Sequence, residues 1–139
     1  MVPDDSAANS QDRHQTVLYT SASDAALGAN EGIELWRGFD SAALRTQAFL
    51  ARARVESGIS IPAHWHSQDT IAYLVEGRAL FRSGADLEHV HEMAPGDWLF
   101  VPAGMVHVEE TPDGAVADFL YARDGGGGTT TYVEDEGKL

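Results

Sequence analysis

No cysteine occurs among the 139 residues. That excludes disulfides, thiolate metal ligands and a cysteine nucleophile, and it fits a cytoplasmic protein. No apolar run reaches the ~18 residues of a membrane span, so no membrane partner is expected. Met1 to Thr16 is polar and lacks the apolar centre of a secretory signal. Basic residues are few, nine against 22 acidic ones, for a formal net charge of -13. Such a surface favours solubility and repels phosphate backbones, so no nucleic-acid partner is expected either. Nor is there an internal repeat, a recognisable DNA-binding segment or a long stretch with helical periodicity.

What is present is a folded domain's worth of apolar residues, 43% of the chain, in a length suited to one core. Residues 1–30 read as a flexible arm with short edge elements: Val17–Tyr19 as a short strand, Ser23–Leu27 as one helical turn. Residues 31–124 carry short alternating runs. Ile33–Arg37 is one. In Gln47–Glu56, Phe49, Ala51, Ala53 and Val55 share a face, the mark of a half-buried strand. Thr70–Val75 and Arg78–Ser83 flank Glu76-Gly77 and read as a hairpin. Further strands are expected at His89–Met93, Trp98–Val101, Met105–Glu110 and Ala115–Arg123, separated by Pro/Gly turns such as Ala94–Asp97. Residues 125–139 form a glycine hinge and an acidic tail, in which Thr129–Val133 can pair at a sheet edge. Many short strands and no long helix argue for an all-β barrel or jelly roll.

His64 and His66 are two residues apart in an extended segment, so their imidazoles share a face and can hold one divalent ion. His107 follows a Pro-x-Gly corner on a later strand. His89 and His91 repeat the His-x-His spacing without a third partner. His89 is expected to be exposed and His91 to stand near the cavity wall. Among the aromatics, Tyr73 and Tyr121 are candidates to hydrogen-bond a substrate.

These residues fall in two frames. Gly58, His64, His66 and Gly77 match the pattern G-x5-H-x-H-x3,4-E-x6-G, with Thr70 in the Glu place. Gly96, Pro102, Gly104 and His107 match G-x5-P-x-G-x2-H-x3-N, with Thr111 in the Asn place. The chain thereby resembles the cupin superfamily. The resemblance implies a double-stranded β-helix (jelly-roll) barrel, commonly a homodimer, with a metal inside bound by His64, His66 and His107. The ligand set is similar to that of three-His cupin dioxygenases. On that likeness the expected cofactor is a divalent ion, Fe(II) favoured over Zn, Mn, Ni, Co or Cu. The expected activity is dioxygenase attack on a small chelating or enolisable organic substrate.

Thr70 departs from the pattern, because a neutral hydroxyl is a poor ligand. Gln68, which shares strand parity with His66, and Asp69, the better ligand chemically, are the candidates to replace the missing carboxylate. Asp69 is also a candidate proton carrier. Glu109 shares parity with His107 and is a general base, a fourth ligand or a surface carboxylate. Without a carboxylate ligand the ion keeps its full charge and should draw anionic or enolisable oxygen ligands. Two other functions remain open: a non-redox lyase, cyclase or isomerase using the ion as a Lewis acid, and a non-enzymatic small-ligand binder. An outward Glu109 would favour the last.

Overall fold

The alternating runs become strands that bury one face of each of two antiparallel sheets. The computed structural model of the protein describes residues 16–125 and 130–136. Residues 1–15 of the arm expected over 1–30, three of the hinge glycines and the end of the acidic tail lie outside the described residues. Numbered in chain order, one sheet runs β1 (Ala26–Asn30), β2 (Ile33–Arg37), β3 (Ala48–Val55), β10 (Ala117–Asp124), β5 (Thr70–Gly77) and β8 (Trp98–Val101). The other runs β11 (Thr130–Tyr132), β4 (Ser60–His66), β9 (His107–Glu110), β6 (Ala79–Ser83) and β7 (His89–Met93). A 3-10 turn at Ala22–Asp24 precedes them and one helical turn, Val133–Glu136, follows. No helix among the described residues is long and apolar enough to cross a membrane.

Between the sheets, Val55, Ala72, Leu74, Phe81, Met93 and Phe119 form the buried core. Phe81 and Phe119 meet edge to face, ring centroids 5.7 Å apart, a favourable arrangement of their quadrupoles. On β3 the expected face is inward: Phe49, Ala51 and Val55 are buried, while Leu50 and Arg52 are exposed.

Three local expectations are corrected. Val17–Tyr19 forms no strand, and the sheet instead begins at Ala26. There the turn residues Glu31 and Gly32, both at positive φ, fold β1 back on β2, the geometry tight hairpins require. The runs on either side of Gly77 are not a hairpin. β5 pairs with β10 and β8, whereas β6 pairs with β7 and β9, so the chain changes sheets at Gly77. Gly77 makes that passage at φ 91°, and a Cβ there would fall 1.4 Å from the Val116 carbonyl oxygen. The hairpin actually formed is β6–β7. His91 is exposed on β7, the edge strand, and is absent from the cavity wall.

The outer face of the first sheet is apolar across four neighbouring strands. Leu50, Ala122, Ile71 and Phe100 form one cross-strand row. Tyr73 and Trp98 pair beside it, with ring centroids 4.6 Å apart. Leu50, Ile71, Phe100 and Trp98 remain 61, 50, 58 and 71% exposed. Contiguous apolar exposure is the kind of surface on which proteins associate. We propose it as the seam of the homodimer that the cupin resemblance implies. Light scattering should give the mass of two chains, and Trp98→Glu with Phe100→Glu should give one folded chain. In Gly77→Ala, the positive φ and the backbone collision together should cost at least about 3 kcal/mol, read as a lower urea midpoint.

Candidate metal centre

His64 and His66 leave β4 on its buried face, as their spacing requires, and His107 opens β9 directly opposite His64. A backbone bond from Gly104 N–H to the His66 carbonyl, 2.9 Å, ties the corner before β9 to the end of β4. The β4–β9 register shifts between Ile61 and His64, across Pro62. Proline has no N–H to give a ladder. Its carbonyl receives a side chain instead: His64 Nδ1 donates to it at 2.8 Å. His107 Nδ1 donates in the same way to the Met105 carbonyl at 3.0 Å. A carbonyl can only accept, so the proton lies on Nδ1 of both rings.

His66 reaches the same tautomer by another route. Arg123 can only donate, and its Nη2 lies 3.2 Å from His66 Nε2, so that nitrogen is the acceptor. The Nδ1–H then faces the Thr130 hydroxyl on β11, 3.1 Å away. With the proton on Nδ1, each ring in its neutral form keeps an Nε2 lone pair on the inward side, that of His66 engaged by Arg123; a hydrogen bond from His107 Nε2 to Glu109 forms only when that ring is protonated. One ligand atom from each of the three buried histidines lies within 4.8 Å of the others. The outward nitrogen of each ring is fixed by a partner, as metal-binding histidines require. Donor type, tautomer and convergence all fit a divalent ion.

The cavity around them is about 520 Å³ and is bounded by Phe49, Phe81, Phe119, Tyr121 and Tyr132 among others. Phe81 stacks near His107 at 6.3 Å, joining the core to the site. Glu109 lies on the cavity wall, a quarter exposed, with Oε1 3.4 Å from His107 Nε2 and 3.8 Å from His64 Nε2. Burial pushes the Glu109 carboxyl up, but the His107 hydrogen bond and the histidine charges outweigh it and hold it below its ordinary value. His107 is the reverse case. Burial pulls it down, yet bonding to Glu109 and to the Met105 carbonyl leaves it above the usual imidazole range. Burial lowers His64. Burial, then the Arg123 charge, lowers His66 to about 4. Burial also lowers the Arg123 guanidinium and raises the Tyr121 hydroxyl.

Gln68 and Asp69 sit elsewhere. β4 ends at His66, so strand parity does not carry on to Gln68. Its amide donates to the Gly125 carbonyl at 3.3 Å. Asp69 is exposed and accepts the Ala103 N–H at 2.8 Å, which braces the second motif's turn. Neither lines the cavity, whereas Thr70 does. Tyr121 lines it and Tyr73 does not. The structure adds Arg37, Arg123, Thr130 and Tyr132, which sequence reasoning did not single out. Arg123 carried a signal, since it continues the inward series Phe119, Tyr121 by period two. Thr130 and Tyr132 lie beyond a run of glycines that breaks any parity argument.

With this geometry in place, comparison with known families is decisive at one level. The model described as the cupin domain matches residues 51–122, more than half of the chain. The chain is a cupin. Solved structures agree on the fold. The polyketide cyclase RemF from Streptomyces resistomycificus superposes with a TM-score of 0.73 at 18% identity, over 89% of this chain and 94% of that one. Oxalate decarboxylase from Bacillus subtilis, a protein with Mn(II) centres, superposes with a TM-score of 0.72 at 22% identity. That likeness covers 89% of this chain and 34% of the decarboxylase. An uncharacterized HTH-type transcriptional regulator, YdeC, of Bacillus subtilis (strain 168) is 33% identical over 60 residues. This covers 43% of the cupin and 20% of the regulator, so the chain spans about a third of the decarboxylase and matches a fifth of the regulator.

Loss of an outer partner at a metal-binding histidine typically costs about 10–100-fold in metal affinity. Calorimetric titration with a divalent ion should therefore show a loss of roughly tenfold in Thr130→Val and more than about 100-fold in His64→Ala. Full metal content in His64→Ala would remove the site as described.

Proposed function

We propose that this cupin is a metal-dependent enzyme that moves a proton on a small, enolisable, oxygen-rich substrate. A divalent ion held by His64, His66 and His107 supplies Lewis-acid polarisation of a substrate oxygen. The observation that carries the reading is the position of Glu109, a carboxylate facing the inward nitrogens of His64 and His107 from the wall of an aromatic cavity. Its Oε1 stands within reach of both rings on the cavity side, the position from which a carboxylate can accept a proton from a bound substrate. It can take a proton from carbon next to a carbonyl, the C–H electron pair passing into the enolate, and return it at the same or a neighbouring atom. The aromatic walls give a flat enolate apolar surface to lie against. A lyase, cyclase or isomerase needs this transfer, and a passive ligand carrier does not.

A second reading is supported by the departure at Thr70. With three neutral ligands in the cupin pattern and no carboxylate there, the same site suits Fe(II) and a dioxygen-dependent cleavage of such a substrate.

The two separate in one experiment. Metal-loaded protein is mixed under anaerobic conditions with acetylacetone in deuterated buffer, and exchange at the acidic carbon is followed by NMR. Catalysed exchange is expected without oxygen. In Glu109→Gln it should fall by about 10²–10⁴-fold, with metal content unchanged. Oxygen uptake with no anaerobic exchange would favour the second reading. Loss of metal in Glu109→Gln would make this residue a ligand instead of a base.

A further inference from the structure

One His-x-His pair is left over from the site in the cavity. His89 and His91 stand on β7, opposite Ser83 and Phe81 of β6. Residues directly opposite in an antiparallel pair share a face, and Phe81 belongs to the core. The two histidines therefore belong to the inner face of their sheet. His107 and Glu109 do too, since they pair with Ser83 and Phe81 from the other side. At Met93 this face of β7 is buried, and at His91 and His89 it has passed into solvent.

The exposed pair is separate from the buried trio. The three inward nitrogens converge without it, and neither His89 nor His91 lines the cavity. It has a third donor of its own, which spacing alone did not reveal. Glu88 Oε2 accepts the Asp86 N–H at 2.8 Å, and Glu88 Oε1 lies 3.5 Å from His89 Nε2. The carboxylate sits over Gly84, where a Cβ would come within 2.6 Å of Oε1. A main-chain bond and a glycine thus hold an anionic oxygen beside an imidazole. Both groups face water, the Glu88 and His89 side chains being 51 and 68% exposed.

We propose that His89, His91 and Glu88 form a second, exposed binding site for a divalent ion. Two imidazoles and one carboxylate select ions that accept nitrogen ligands, such as Ni(II), Cu(II) or Zn(II), over Mg(II) and Ca(II), which take oxygen. The spacing of two on an extended strand offers both rings to one ion, and water completes its shell. The rings have not closed on a point: among the described residues, the group of three donors that converges within 4.8 Å is the buried trio. Exposed side chains close by rotation about their side-chain torsions, and that ordering costs entropy. The buried rings are already fixed by outer partners, each worth about 10–100-fold in metal affinity. The exposed site is therefore the weaker of the two.

The test uses the full metal-free chain, titrated calorimetrically with nickel(II) chloride and, separately, with magnesium chloride. Two nickel equivalents are expected. The tighter is lost in His64→Ala and kept when His89→Ala is combined with His91→Ala; the weaker follows the opposite pattern. Glu88→Gln should weaken only the second, by about tenfold or more. Magnesium should give no equivalent that the double substitution removes. Both substituted histidines are exposed, so the double substitution should keep the native urea midpoint. A second nickel equivalent that survives it would place the ion elsewhere on the acidic surface and overturn the assignment. So would a single equivalent that only His64→Ala removes. A single equivalent removed only by the double substitution would keep the exposed site and discard the buried one.

Discussion

The site depends on how three imidazoles spend their outer nitrogens. Two give the Nδ1 hydrogen to a carbonyl two residues back, Pro62 for His64 and Met105 for His107. The third gives it to a hydroxyl on a different strand. These bonds set the tautomer, and the tautomer aims each lone pair. The backbone serves the same end: a register shift in β4 accommodates a proline whose carbonyl a ring can use. The Gly104–His66 bond brings the two motif segments into one plane of action. Disturbing the β4–β9 register would turn His107 away from His64, because alternate strand residues face opposite sides.

Charge is partitioned around the same three rings. Glu109 draws His107 toward holding a proton against the pull of burial, whereas at His66 burial first and then the Arg123 charge act the other way, so His107 ends above its ordinary pKa and His66 near 4. A carboxylate on one side and a guanidinium on the other give the cavity a polarity that the histidines alone would lack. The surrounding aromatics strengthen both charges by keeping the local dielectric low.

Much of this was legible in the sequence, and the parts that were not have physical reasons. His64 and His66 had to share a face once their segment was extended, and the second frame supplied His107. Glu109 followed from parity with His107. Gln68 and Asp69 were weighed as ligands because they are near in number, but parity ends where the strand ends, and both spend their side chains on backbone groups outside the cavity. The turn at Gly77 has the composition of a hairpin, and only the partners of the flanking strands reveal a change of sheet. Arg123 was readable in principle by continuing Phe119 and Tyr121. A charged residue at the end of an inward apolar series is easily taken for the point where the strand emerges into water. The partnership of Thr130 with His66 joins residues 64 apart, a distance over which local pattern carries no information.

That last contact orders events in time. The residues of the candidate site are made in sequence as the chain is synthesised: His64 and His66 first, His107 later, and Thr130, the partner of His66, after all of them. The nascent chain first holds two imidazoles whose geometry is incomplete, then three of which one lacks its outer restraint. The full arrangement exists only when β11 has been synthesised and has paired with β4. The outer restraint on His66 is therefore the last part of the site to be made, and it arrives together with the strand that closes this edge of the barrel.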